Sequence, residues 1–235
     1  MKRTLLILLA ALLALPITAS AAGGKNQKKH RNANADCGLA RLLEQVPSQN
    51  LDAREARDLL YMREEEKLAR DVYLSLYDEW GLRTFSNIAK AEKNHMAAVL
   101  VLIDKYDLDD PVGDNAVGVF DNADLQQLYE DLFAAGTGSR VSALKVGAGI
   151  EELDIFDLQR ALEATNNEDV QMLYQNLIKG SSNHLRAFAR QLERSGVSYS
   201  PVYLTPAEYQ EILDAPKLKG VIDSDGDLVC GSYKF

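Results

Sequence analysis

Four stretches of the chain repeat apolar side chains three and four positions apart, the spacing that lines up one face of an α-helix. The first predicts a helix from about Leu51 to Trp80, with Leu59, Met62, Glu66, Ala69, Tyr73 and Leu76 along its inner face. Asp52 with Glu55 suits a reciprocal N-terminal cap, and Gly81 suits a stop. A second helix is predicted from about Thr84 to Tyr106, carried by Ile88, Glu92, His95, Val99 and Leu102. A connection rich in Asp, Gly and Asn follows, from Asp107 to Ala123, and then a shorter helical stretch from Asp124 to Ala135. The third long helix covers about Ser139 to Thr165 along Val141, Leu144, Ala148, Glu151, Ile155, Leu158 and Leu162. The fourth covers about Glu168 to Arg194 along Val170, Leu173, Leu177, Ser181, His184 and Phe188.

Smaller elements flank these. A short helix fits Leu39 to Val46 and stops before Pro47, and Thr205-Pro206-Ala207-Glu208 opens another. The tail from Pro216 suits a hairpin around Asp223-Ser224-Asp225-Gly226-Asp227, a string that lacks the spaced glutamate of a calcium loop and reads as a turn. Short links at Gly81 and Asn166 make each pair of long helices antiparallel, and the long link falls between the second and third. The expectation is an all-α fold: a four-helix bundle over 48–196 with a long crossover between its second and third helices. Residues 22–47 form a flexible leader and the short helix, and 197–235 a C-terminal extension.

The N-terminus adds an address. Met1-Lys2-Arg3 is basic, Leu5 to Leu15 is an apolar run, and Ala19-Ser20-Ala21 fits a small-residue cleavage site. The run is short of the roughly 20 apolar residues of an inserted helix. Residues 1–21 are therefore expected to be a signal peptide, cleaved near Ala21, and the protein to be exported, periplasmic or extracellular. At 235 residues, 46% apolar and 26% charged, the chain has the makings of one packed domain with flanking segments. Its 35 acidic against 26 basic residues give a net charge of −9, and loss of Lys2 and Arg3 takes it to −11. That balance argues against nucleic-acid binding and against membrane association after signal cleavage. Cys37 and Cys230 are the only cysteines. In an oxidising compartment they suggest one bridge between the two tails, with free thiols or an intermolecular link as the alternatives.

What changes the picture is the polar content of the apolar faces. An unpaired buried carboxylate costs several kcal/mol, yet Glu66, Glu92 and Glu151 sit in mid-helix on three of them. His95 and His184 join them, and the only other histidine, His30, lies in the leader. Glu92-x-x-His95 puts a carboxylate and an imidazole on one helix face. Acids and imidazoles turned inward together are explained by a bound cation, and paired motifs of this kind on facing helices build two-metal centres. Oxygen and nitrogen ligands without thiolate suit iron or manganese, one or two ions, and admit zinc. Some alternatives stay open. Glu64-Glu65-Glu66 reads equally as a solvated charge run, and Glu65 replaces Glu66 if the helix phase shifts by one. Glu151 and Glu152 are similarly interchangeable, with Asp154 within one turn. Tyr73 is either core packing or a hydrogen-bond donor to a ligand.

Glu66-x-x-Ala69-x-x-x-Tyr73 resembles the first-helix pattern of ferritins and rubrerythrins, and Glu92-x-x-His95 their second-helix motif. The stretches MREEEKLARDVY, FSNIAKAEKNHM, IEELDIFDL and GSSNHLRAF resemble an uncharacterised ferritin-like family of bacteria and archaea, a domain of unknown function, over about Leu59 to Gly196. The resemblance implies a ferritin-like form of the bundle. It also implies that Glu66, Glu92, His95, one of Glu151 or Glu152, and His184 are di-metal ligands. One departure stands out. The fourth helix of that pattern offers Glu-x-x-His, whereas this chain has Ser181-Ser182-Asn183-His184, so Asp154 is the carboxylate that could compensate.

The expected function is metal binding with oxidoreductase chemistry toward oxygen, peroxide or the metal itself. The alternative is a non-enzymatic metal-binding or protein-interaction module of the cell envelope. Expected partners are metal ions and a small oxidant, with a homodimer compatible. No flavin, nucleotide or haem motif is visible, nor the cysteine pairs of a rubredoxin module.

Overall fold

The structure is a computed structural model that describes residues 38–234. The expected signal peptide, most of the leader and Cys37 lie outside the described residues. Seven helices and a hairpin follow in order: α1 (Leu39–Gln45), α2 (Ala53–Trp80), α3 (Arg83–Lys105), α4 (Ala123–Gly136), α5 (Arg140–Glu163), α6 (Glu168–Arg194), α7 (Pro206–Asp214), β1 (Lys217–Ile222) and β2 (Leu228–Lys234). The architecture is all-α in its main part. No described helix is long and apolar enough to cross a membrane.

Local chemistry sets the helix ends. Asp52 caps α2 by accepting hydrogen bonds from the Arg54 and Glu55 amides at 2.7 and 2.8 Å, while Glu55 accepts from the Asp52 amide at 2.8 Å. Ser139 caps α5 through the Ser142 amide, and Thr205 with Glu208 repeats the reciprocal cap on α7. α2 packs along α3 and α5 along α6, and the two pairs meet through α2 with α5 and α3 with α6. The tail is folded onto this body. Asn176 of α6 accepts from the Ile222 amide at 3.1 Å and donates to the Ile222 carbonyl at 2.7 Å, pinning the antiparallel hairpin to the helix. On β2, Cys230 is disulfide-bonded.

The four long helices divide their apolar core in two. On one side lie Leu68, Val72, Leu76, Phe85, Ile88, Leu144, Leu185 and Phe188. On the other lie Leu59, Met62, Val99, Leu102, Leu158, Leu173 and Leu177. Each fully buried side chain of this kind contributes about 1.5–3 kcal/mol. Between the two halves every long helix presents polar residues instead. That intervening layer is where the sequence placed its acids and imidazoles.

One helix departs from the expected single apolar face. From Met62 to Ala69, α2 is buried at every position, Arg63, Glu64, Glu65, Glu66 and Lys67 included. The side expected to be solvated is covered by the crossover 106–122. Arg63 forms a bidentate pair with Asp110 at 3.0 and 2.9 Å. Glu64 accepts from the Asp121 and Asn122 amides at 2.8 and 3.1 Å. Lys67 donates to Asp71 at 2.5 Å and to the Ala116 carbonyl at 2.8 Å, and its ammonium lies 4.2 Å from the centre of the Phe120 ring. Asp71 in turn accepts from the Gly118 amide at 2.9 Å. The crossover is thus clipped to α2 by ion pairs and hydrogen bonds rather than by apolar contact alone.

Breaking a buried pair by one member leaves the other charge uncompensated. Asp71→Ala is expected to lower stability by about 3–5 kcal/mol, and Lys67→Met with Asp71→Leu to recover part of the loss. Chemical denaturation of the two variants checks this; equal losses would contradict it.

Candidate metal centre

Registry alone brings the polar residues together. Glu65 and Glu66 come from α2, Glu92 and His95 from α3, Glu151 and Asp154 from α5, and Ser181 and His184 from α6. In α2, α3 and α6 they fall between the two apolar halves, and in α5 between Ile150 and Ile155.

Glu92 lies at the middle. Its Oε2 is 2.7 Å from His95 Nδ1 and its Oε1 is 2.8 Å from His184 Nδ1, so one carboxylate faces two imidazoles, one oxygen to each. Each imidazole also meets an outer acid through the same nitrogen. Glu66 Oε2 is 3.2 Å from His95 Nδ1, and Glu151 Oε2 is 3.3 Å from His184 Nδ1. The order Glu66, His95, Glu92, His184, Glu151 is therefore nearly symmetric about Glu92. The two rings stack with centroids 5.4 Å apart. Atoms of Glu92, His95 and His184 suited to metal coordination all lie within 4.8 Å of one another.

The layer is short of hydrogen-bond donors. Neither oxygen of Glu92 nor Nδ1 of His184 lies in hydrogen-bonding alignment, despite the close approaches. Glu66 Oε1, Asp154 Oδ1 and both oxygens of Glu65 are also buried without a partner. Tyr73 meets part of the need, its hydroxyl donating to Glu151 Oε1 at 2.6 Å. Its ring packs on Phe85 and Phe188, so Tyr73 is both core packing and a hydrogen-bond donor to Glu151. Ser181 donates to Asp154 Oδ2, leaving the other oxygen of that carboxylate unpartnered. Gly180 makes room: a Cβ there would sit 2.3 Å from His95 Nε2.

The ionisations follow from this crowding. Burial and the charge of Glu92 raise Glu151 to about 7. Burial raises Glu66, with partial relief from His95, and raises Asp154 strongly, the charges of Glu66 and Glu65 adding to it. Burial also acts against the charged forms of Glu92 and the imidazoles, but there their mutual attraction prevails. Glu92 is held far below the usual carboxylate range by His184 and His95. His184 rises to about 10 under Glu92 and Glu151, and His95 rises under Glu66 and Glu92. Without a cation, protons must do the neutralising. An orphaned set of carboxylate oxygens around two imidazole nitrogens fits the donor preferences of iron, manganese or zinc.

Of the residues singled out from sequence, Glu66, Glu92, His95, Glu151 and His184 converge, and Asp154 stands beside them. Glu152 does not join them. The helix turns it to the opposite side, where one oxygen accepts from the amides of Val202, Tyr203 and Leu204 at 2.6, 2.6 and 2.7 Å, and the other accepts from the Tyr199 hydroxyl at 2.6 Å. Its role is to hold the segment before α7. Glu65, considered only as a substitute for Glu66, is buried in addition to it.

Comparison with known proteins gives relatives without an assigned activity. The profile of a family described as an uncharacterized protein domain, DUF2202, matches residues 55–216. The uncharacterized protein MJ0754 of Methanocaldococcus jannaschii is 48% identical over 176 residues, covering 75% of this chain and 95% of the relative. The crystal structure of the hypothetical protein MJ0754 from Methanococcus jannaschii superposes with a TM-score of 0.72 at 49% identity, over 73% of this chain and 98% of that one.

Glu152→Ala removes the shared acceptor of three amides, and hydrogen bonds to a charged group are worth about 1.5–3 kcal/mol. Hydrogen exchange at Val202, Tyr203 and Leu204 is expected to accelerate at least about tenfold, with the His95 and His184 imidazole resonances unmoved. Unchanged exchange at those amides would remove Glu152 from this role.

Proposed function

The chain belongs to the DUF2202 family, and for this member we propose a carboxylate and histidine metal centre, holding one or two iron or manganese ions within a ferritin-like four-helix bundle. Zinc satisfies the same donors. Glu66 and His95 would serve one ion and Glu151 and His184 the other, with Glu92 between them. Asp154, oriented by Ser181, would stand in for the acid that the fourth helix lacks. An export signal at residues 1–21 would put this activity in the periplasm or outside the cell.

One observation carries the reading. Both oxygens of Glu92 approach imidazole nitrogens to 2.7 and 2.8 Å without hydrogen-bond alignment. A neutral hydrogen-bond network would align its donors and would not leave carboxylate oxygens orphaned in its midst. A cation among these atoms removes both difficulties. Bound iron or manganese would supply electron exchange with oxygen or peroxide. The protein's own contributions would be to bring the acids and imidazoles to one level, to fix Glu151 through the Tyr73 hydroxyl, and to keep the layer between two dry apolar halves.

Ser181 in place of a glutamate favours a second reading, a module that holds metal without turning over an oxidant. Oxygen or peroxide consumption by the iron-loaded protein separates the two.

Elemental analysis after anaerobic loading with Fe(II) or Mn(II) is expected to give one or two ions per chain, lost on Glu92→Ala with His95→Ala. Equal metal content in that variant would refute the centre. Loading at about 1,000 times the dissociation constant is expected to stabilise the fold by about 4 kcal/mol, and a chelator to reverse the shift in thermal unfolding. Gly180→Ala, which forces the His95 ring aside, is expected to weaken binding at least about tenfold, more than a kcal/mol, as for a displaced ligand-orienting group.

A further inference from the structure

Glu65 is not accounted for by the centre. Its side chain belongs to a residue only 3% exposed, and neither carboxylate oxygen has a hydrogen-bond partner. Its two neighbours in sequence make the contrast: Glu64 holds two amides of the crossover, and Glu66 meets His95. A buried acid without a donor destabilises the fold, and a glutamine of the same shape would not carry that cost as a charge. Packing therefore gives no reason for an acid at this position.

Tyr61 of α2 and Asp157 of α5 line one cleft, and Glu65 and Asp154 each lie one helical turn from them, four residues along α2 and three residues back along α5. Burial first, and then the charges of Asp157 and Glu66, oppose the ionisation of Glu65. On the inner side stand Glu66 and Asp154, and Asp154 also feels Glu65. On the outer side Asp157 is half-buried and lines a cleft of about 270 Å³, together with Asp58 and Tyr61. Two arginines share that rim: Arg54 lies 3.5 Å from Asp58, and Arg160, whose guanidinium lies 5.5 Å from the centre of the Phe156 ring, also favours the ionised form of Asp157 through its charge. The α2–α5 seam thus carries Asp157 at the cleft and, a helical turn further along, Glu65 with Asp154, next to Glu66.

We propose that this α2–α5 seam is the route by which a divalent cation reaches the glutamate and histidine layer, with the Glu65 carboxylate as its resting point on the way. The proposal rests on the metal-centre reading above. A lone carboxylate offers a cation two oxygens, where hard cations take six or more ligands. Glu65 thus draws the ion out of water without retaining it. Asp157 repeats the same chemistry at the mouth.

The test is the rate of Mn(II) uptake by the metal-free full chain, followed after rapid mixing by loss of the free-ion electron paramagnetic resonance signal. Glu65→Gln with Asp157→Asn is expected to slow uptake at least tenfold and to leave the final Mn(II) per chain at the wild-type value. Asp78→Asn with Glu79→Gln, the same charge change at the exposed end of α2, is expected to load at the wild-type rate. A wild-type rate in the first variant, or an equal slowing in the second, overturns the route; a lower final content makes Glu65 a ligand of the centre and overturns it too. If the wild-type chain takes up no Mn(II), the centre falls and the route with it, whereas normal uptake with an unslowed variant sinks the route alone. Thermal unfolding of the metal-free variants checks that they fold, and Glu65→Gln alone carries the test should the double variant not.

Discussion

Negative charge confined between two apolar half-cores is the constraint on which the rest of this structure depends. Five carboxylates, those of Glu65, Glu66, Glu92, Glu151 and Asp154, share the interior layer with two imidazoles. Buried cations exist close by, but Arg63 and Lys67 are turned to the crossover and held there by Asp110 and Asp71. The layer cannot draw on them. Whatever balances it must come from protons or from outside the chain, and the short, misaligned contacts around Glu92 are the geometric form of that shortage.

The arrangement is economical in its supports. Tyr73 reaches from α2 to α5 to orient Glu151, and Ser181 reaches from α6 to α5 to orient Asp154. Gly180, one residue earlier, gives the His95 ring its space. The serine and the glycine together explain how α6 can contribute only one strong donor, His184, and still complete the layer: it yields the volume and the orientation that α5 and α3 then use.

Much of this was legible in the sequence because the three-and-four spacing registers polar residues as faithfully as apolar ones. Glu66, Glu92, His95, Glu151 and His184 each interrupt an apolar row, and rows of four helices that pack side by side must meet at matching heights. The caps of α2 and α7 and the hairpin turn were equally readable, since their chemistry is local. What escaped was everything decided by a second neighbour. Periodicity assumes that a helix has one buried face, so it could not show that the crossover covers the other side of α2 and buries Glu64 and Lys67. Nor could spacing separate Glu151 from Glu152, adjacent acids whose destinations differ because one faces α3 and α6 while the other faces the segment before α7. Asp157, half-buried at a rim, carries no signal in sequence at all.

The crowding of α2 has a consequence for how this sequence can change. Successive residues on a helix point about 100° apart, and Arg63, Glu64, Glu66 and Lys67 each address a different neighbour. Inserting or deleting a single residue would rotate the clip that fastens the crossover into the interior and swing the interior acid out against the clip, spoiling both at a stroke. The reading frame of a single helical turn is here shared by two interfaces, as it is on α5 at Glu151 and Glu152.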